Sequence, residues 1–265
     1  MGSILMMKVI VLGSGSPIPY EERAQSGVLL LRESHDPLLV DCGSGVLDRL
    51  GRLNLEPETE TDVALQAINE ILLTHHHLDH MADLLPLLKA RWLLGRRETR
   101  IFGPEGTEAL LDGLLELYPY LKGEISVDIV ELAEGEEFEL AGLRVATLRT
   151  VHQILNLAYK FAEGVVISGD TEPFPGMGEF AEGCSLVIHE CSFPDGFSIP
   201  GHSTPYALGE VLAGREIGTL VLTHLYPQAI AHVSELVEDL REGGFGGRVE
   251  VARDLDCFQI EIPLI

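Results

Sequence analysis

The stretch Thr74–His80 reads THHHLDH, four histidines and an aspartate within seven residues, directly after the apolar run Ile71, Leu72, Leu73. Side chains at i and i+2 of an extended chain project to the same side. His75 and His77 therefore address one point while His76 faces away. A helix beginning near Asp79 turns Asp79 and His80 toward the same space from a second direction. Neutral imidazoles and carboxylates so arranged suit Zn(II), with Mn(II) and Fe(II) as competitors. Without a metal, crowded imidazoles would repel on protonation and leave buried nitrogens unpaired.

A catalytic metal needs more ligands than this cluster supplies, and the same kind of residue recurs at other strand ends. His152 closes LRVATLRTVH, Asp170 closes GVVISGDT and His224 closes GTLVLTH. Each follows directly on an apolar strand, where side chains converge on the edge of a sheet. His35, His76, His189 and His232 lie outside the pattern and read as surface or structural residues.

Around these positions the chain alternates short apolar runs with Gly-rich turns. KVIVLG, GVLLL and PLLVDCGSG read as strands, being too short for helices. CGSGVLDRLGRL, with Val46, Leu47, Leu50 and Leu53, has helical spacing. INEILLT predicts a strand, and DHMADLLPLLKARWLLG one long helix with Pro86 as its irregularity. EISVDIVEL, EEFELAGLRVATLRT and NLAYKFAEGVVISGDT predict antiparallel strands and hairpins, with Gly135, Gly142 and Gly164 at turns. The last third predicts the strand CSLVIHECSF, a helix near TPYALGEVLAGRE, the strand GTLVLTH, the helix AIAHVSELVEDLRE and a closing hairpin around GGFGG. The fold class is α/β (α+β): two mixed sheets packed face to face with helices outside. One domain spans 8–265, its first strand starting at Lys8 or Val9. Residues 1–7, MGSILMM, read as an N-terminal extension or a remnant of expression.

The 265 residues are 46% hydrophobic and 23% charged, as expected of a folded domain. No apolar run reaches the roughly 18 residues of a membrane helix, and the N-terminal run is too short for a signal peptide. The expectation is a cytoplasmic protein with no membrane partner. Cys42, Cys184, Cys191 and Cys257 show no CxxC spacing and read as buried free thiols. With 42 acidic against 18 basic residues, the formal net charge is −24. Such a field repels a polyanion, which works against a broad grip on nucleic-acid backbone.

The ordered set of HxHxDH at His75–His80, His152, the SGDT Asp170 and the TH His224 resembles the metallo-β-lactamase fold. The resemblance runs over nearly the whole chain, including LGSGSPIPYEERAQSGVLL and the LLVDCGSG of Asp41. Within that superfamily, LVIHECSF at 186–193 and GHSTP at 201–205 are most similar to the ribonuclease Z branch of phosphodiesterases. The resemblance implies an αββα four-layer sandwich holding two divalent metal ions. By position, His75, His77 and His152 hold one ion, Asp79, His80 and His224 the other, and Asp170 bridges them. Asp41 stands behind, orienting ligand imidazoles, and Asp79 also counts among the catalytic groups. The implied chemistry is attack on a phosphodiester by a hydroxide that both ions activate. His202 of GHSTP is placed to protonate the leaving oxygen or to hold a phosphate oxygen, with Glu190 orienting it.

One feature of the resembled family is missing. Its tRNA-processing members carry a long Gly- and Pro-containing arm between the third-motif histidine and the bridging aspartate. Here only QILNLAYKFAEGVVISG, residues 153–169, lies between His152 and Asp170. Absent arm and acidic charge both favour a small phosphodiester as substrate: cyclic nucleotides, cyclic ribose phosphates, short oligonucleotides or aryl phosphodiesters. The alternatives are a ribonuclease Z-type tRNA 3′ endonuclease, a lactonase or arylsulfatase, and a non-hydrolytic metal-binding protein. The apolar helix around LLPLLKARWLLG, with Trp92, also permits a homodimer.

Overall fold

Successive residues of the first strand serve two different cores. Met7, Val9 and Val11 face one apolar cluster, while Ile10 and Leu12 face another. The same alternation runs through Val28, Leu30 against Leu29, and through Val165, Ile167 against Val166. A strand buried on both faces needs apolar residues at every position, which is why these segments read as unbroken hydrophobic runs.

The computed structural model describes residues 5–53, 65–197 and 199–262. The strands are β1 (Leu5–Gly13), β2 (Gly27–Arg32), β3 (Leu38–Val40), β4 (Glu70–Leu72), β5 (Glu98–Pro104), β6 (Ser126–Leu132) and β7 (Glu137–Leu140). They continue with β8 (Leu143–Arg149), β9 (Leu157–Phe161), β10 (Val165–Ile167), β11 (Leu186–Glu190), β12 (Thr219–Thr223), β13 (Arg248–Val251) and β14 (Cys257–Ile262). The helices are α1 (Val46–Arg52), α2 (Leu78–Met81), α3 (Leu84–Leu93), α4 (Thr107–Leu117), α5 (Pro175–Ala181), α6 (Pro205–Leu212), α7 (Pro227–Ile230) and α8 (Val233–Glu242).

Among the described residues the strands form two seven-stranded sheets, ordered β14-β1-β2-β3-β4-β5-β6 and β13-β12-β11-β10-β9-β8-β7. One apolar cluster fills the space between them, with Leu72, Tyr159 and Ile188 among its members. A second packs α1, α3 and α4 on the outside of the first sheet through Leu50, Leu87 and Leu111. A third packs α5, α6 and α8 on the outside of the second sheet through Met177, Leu208 and Leu236. The result is the expected αββα order of layers in a single domain. No helix among the described residues is long and apolar enough to cross a membrane. Cys42, Cys184 and Cys191 are buried, Cys257 is half-buried, and all four thiols are free.

Four local expectations are corrected. The first strand begins at Leu5 rather than Lys8, because its start pairs antiparallel with the end of the chain, Leu5 opposite Ile262. EISVDIVEL, as β6, runs parallel to β5 at the edge of the first sheet. The helix α4, which was not anticipated, supplies the crossover that a parallel pair requires. The single helix expected over 79–95 is two, α2 and α3, meeting at Ala82–Asp83, and Pro86 lies in the first turn of α3, where its missing N–H leaves no bond unmade. No hairpin closes the chain: β13 lies parallel to β12 in one sheet, while β14 pairs with β1 in the other. The α3 helix itself buries Leu84, Leu87 and Leu88 and leaves Leu93 exposed.

Candidate metal centre

Several of the strands end along one edge of the sandwich, and the polar residues of interest follow directly on them. Asp41 comes after β3, Thr74–His77 after β4, Asp170 after β10 and His224 after β12, while Glu190 is the last residue of β11. His152 follows β8, and His202 precedes α6. Carboxyl-terminal strand ends are where open α/β sheets present ligand sites, because each following loop can turn its side chains into the crevice.

Asp170 is the hub. Its Oδ2 lies 3.7 Å from His75 Nε2, 3.9 Å from His152 Nε2 and 3.5 Å from His224 Nε2, and its Oδ1 lies 3.3 Å from His80 Nε2. His77 Nδ1 stands 3.1 Å from His152 Nε2, and His224 Nε2 stands 3.0 Å from Asp79 Oδ2. The donor atoms gather into groups able to hold a cation: His75, His77, His152 and Asp170 in one, Asp79, His80 and His224 in another. His202 joins Asp170 and His224 in a third. His76 is turned out of the cluster, as its position in the strand requires, with Nε2 2.8 Å from Thr107 Oγ1 at the start of α4.

The residues fit a metal on an observation independent of their identity. His75 Nε2, His80 Nε2 and Asp170 Oδ1 are buried with no hydrogen-bond partner; the 3.3 Å between the last two is not aligned for a bond. Buried polar atoms left unpaired are costly, and here they lie in the donor groups where bound cations would satisfy them. The opposite nitrogen of each ring is fixed. Asp41 Oδ2 stands 2.7 Å from His80 Nδ1 and accepts from Thr74 Oγ1 at 2.8 Å, and Thr74 Oγ1 lies 3.0 Å from His75 Nδ1. His152 Nδ1 meets Gly201 O at 2.7 Å, and His224 Nδ1 meets Ser192 Oγ at 2.9 Å. With Nδ1 so occupied, Nε2 is the nitrogen that faces the centre.

The electrostatics follow from burial and from this crowding. Burial pushes His75 well below the ordinary histidine value, and the neighbouring His80 adds to the push. Burial also opposes a charge on His80, but Asp170 and Asp41 outweigh it and hold that ring well above the ordinary value. Asp170 is held well below the usual carboxylate range; burial would raise it, and the surrounding His224, His80 and His75 prevail. Metal ligation needs an unprotonated imidazole, so the charge that Asp170 and Asp41 favour on His80 would compete with a cation there. For His202, burial disfavours the charge, but the hydrogen bond and charge of Glu190 raise its pKa.

Glu190 is itself fully engaged. Its Oε1 accepts from Thr171 N at 2.8 Å and lies 3.0 Å from His202 Nδ1. Its Oε2 accepts from Ser192 Oγ at 2.6 Å and from Ser203 N at 3.2 Å. One buried carboxylate thus supports His202 directly and His224 through Ser192.

Local backbone constraints explain the flanking sequence. Asp41 and His224 adopt left-handed conformations, φ 60° and 57°, uncommon for residues with a Cβ and typical of functional sites. In DCGSG, Cys42 N donates to His80 O and Asp83 N donates to Cys42 O, stitching this loop to α2. A Cβ on Gly43 would stand 2.0 Å from Asp79 O, so only glycine permits the approach. Gly169 has φ 58°, and a Cβ there would meet Asn156 Oδ1 at 2.5 Å. Thr74, Asn156 and Ser192 support the site without standing out in the sequence. Thr74 is at least the first residue of the cluster, whereas nothing in the type of Asn156 or Ser192 marks it.

Replacing Asp41 by alanine removes the acceptor for His80 Nδ1, for Thr74 Oγ1 and for Thr74 N. Metal affinity is expected to fall about 10- to 100-fold, the usual range for such supporting residues. Competition with a chromophoric chelator measures it, and unchanged affinity would show that Asp41 does not orient the ring.

A family model described as "Beta-lactamase superfamily domain" matches residues 37–225. The chain belongs to that superfamily, whose fold and His/Asp centre define a metal-dependent hydrolase. Within it the chain is ribonuclease Z-like. It is 30% identical to the ribonuclease Z of Mycobacterium avium, covering 97% of this chain and 100% of that protein. It also resembles the solved metallo-beta-lactamase fold protein YhfI from Bacillus subtilis, with a TM-score of 0.80 at 25% identity over 96% of this chain and 99% of that one. Human tRNase Z, short form, shares the fold with a TM-score of 0.71 at 23% identity over 97% and 100% of the two chains.

Proposed function

We propose that the chain is a dinuclear metal-dependent phosphodiesterase acting on small substrates: cyclic nucleotides, short oligonucleotides and aryl phosphodiesters. The observation that carries this is Asp170, which groups with His75, His77 and His152 and also stands 3.3 Å from His80 and 3.5 Å from His224 of the second donor set, with His202 and its Glu190 support alongside. His75, His77 and His152 would hold one divalent ion, Asp79, His80 and His224 the other, and Asp170 both. Zn(II) suits these nitrogen and oxygen donors, with Mn(II) or Fe(II) able to replace it. Once bound, such a pair would polarise the phosphoryl group and lower the pKa of water toward neutrality.

The chain's own groups supply the rest. Asp41, Thr74, Ser192 and the Gly201 carbonyl hold four imidazoles in the orientation that turns Nε2 inward. His202 offers Nδ1–H to Glu190, so the proton on Nε2 is the one free to reach the departing oxygen of the substrate. Asp79 keeps a carboxylate at the centre, held below its usual range against the effect of burial by its hydrogen bond with His224.

A small substrate is supported by what surrounds the centre. Between His152 and Asp170 there is only a short loop and the antiparallel pair β9–β10, with no extended arm. The segments 74–82, 150–156 and 192–204, which carry most of the site, contain no lysine or arginine. A polyanion would need such charges to displace its counterions.

A ribonuclease Z-type reading, cleavage of a tRNA precursor at its 3′ side, is favoured by the name of the mycobacterial relative and its full-length match. Metal analysis followed by a parallel assay separates the two. About two metals per chain and turnover of bis(p-nitrophenyl) phosphate and cyclic nucleotides well above that of a pre-tRNA are expected. Pre-tRNA cleaved far faster than the small esters would reverse the ranking. The assay includes a lactone and an aryl sulfate, chemistries the same centre could serve.

A further inference from the structure

We infer that the substrate carries an aromatic ring and that Phe197 is the platform on which that ring stacks, a deepening that rests on the phosphodiesterase reading. Three aromatic side chains form a ladder leading out from the centre. The Tyr226 ring lies 5.7 Å from that of His224 and 5.9 Å from that of His202. Phe193 stacks on Tyr226 with centroids 4.4 Å apart, and Phe197 stacks on Phe193 at 5.8 Å with the planes inclined by 19°. Phe193 also meets the His202 ring edge-on at 6.0 Å.

Tyr226 is half-buried, Phe193 is buried at 7% exposure, and Phe197 at the outer end is 43% exposed. The outermost ring stacks on Phe193 and is partly open to solvent, and Phe193 links it to the imidazole placed to meet the phosphate. Other apolar side chains gather on the loops around the centre. Leu78, between His77 and Asp79, is 77% exposed, and Val151, Ile154 and Ile199 are exposed beside His152 and ahead of His202. Single exposed apolar residues are ordinary, but these occupy the loops that carry the site.

An uncharged aromatic shelf suits an acidic protein. Stacking on a ring needs no countercharge, accepts any base or aryl group, and changes affinity about fivefold or more when the ring is removed. The phosphate would then be recognised at the centre and the ring at Phe197, with the ribose or ester linkage spanning them.

Calorimetric titration of the metal-loaded full chain with AMP and with ribose 5-phosphate tests this, since the two differ only in the base. The wild type is expected to bind AMP about fivefold or more tightly than ribose 5-phosphate. Phe197→Ala is expected to bring the ratio near one while leaving ribose 5-phosphate binding unchanged, and Phe197→Trp to preserve it. Phenyl phosphate against methyl phosphate forms a second pair: a preference shared with it marks any aryl ring, and one confined to AMP marks a nucleobase. A ratio that Phe197→Ala leaves unaltered overturns the stacking and leaves the hydrolase reading standing. A wild type that binds neither AMP nor ribose 5-phosphate overturns both.

Discussion

Asp170→Asn is expected to lower turnover of a phosphodiester by at least about 10²- to 10³-fold, the loss typical of removing one preorganised electrostatic contact at a reacting centre. The amide keeps the shape of the side chain but removes its charge and can turn an NH₂ toward four imidazoles, of His75, His80, His152 and His224. Metal content should fall below two per chain, since both donor sets lose their shared anion. Secondary structure should be retained, because β10 is anchored by Val165, Val166 and Ile167 in the apolar clusters on its two faces. Elemental analysis and circular dichroism of the same sample distinguish these effects. A variant that keeps two metals and more than a tenth of its activity would remove Asp170 from its bridging place.

His202→Ala is expected to reduce turnover by about 10²- to 10⁴-fold at unchanged metal content, the range of general-acid catalysis. Donation of a proton matters most for a poor leaving group. The loss should therefore be greater for a 2′,3′-cyclic nucleotide, which releases a ribose alkoxide, than for bis(p-nitrophenyl) phosphate, which releases a stable phenolate. An equal loss on both substrates would mean that His202 holds a phosphate oxygen instead. A loss smaller than about tenfold on both would exclude either role.

The centre was more legible in the sequence than the connections around it. THHHLDH and the three later strand ends could be read because each ligand is a titratable residue directly after an apolar run. The two-core alternation made those runs conspicuous. The supporting groups could not be read this way: Asn156 bonds Thr150 Oγ1 and Ser168 O, and Ser192 bonds His224, through contacts that only the folded chain creates. The parallel pairing of β5 with β6 is legible only if TEALLDGLLEL is read as a crossover helix. Without it, a strand following a strand reads as a hairpin. The separation of β13 from β14 is hidden for a similar reason, since GGFGG has the composition of a tight turn but follows α8 and leads into a parallel strand.

Neither donor set can be completed from one half of the chain. His75, His77, Asp79 and His80 stand beyond the end of β4 in the first sheet, while His152, Asp170 and His224 stand beyond strands of the second. Each bound ion would tie positions far apart in sequence, 75 to 152 and 80 to 224, closing loops whose closure is otherwise an entropic burden of folding. In a chain whose four cysteines are all free, the catalytic ions would also be its cross-links, so a shortage of metal would loosen the sandwich at the same seam where it stops the chemistry.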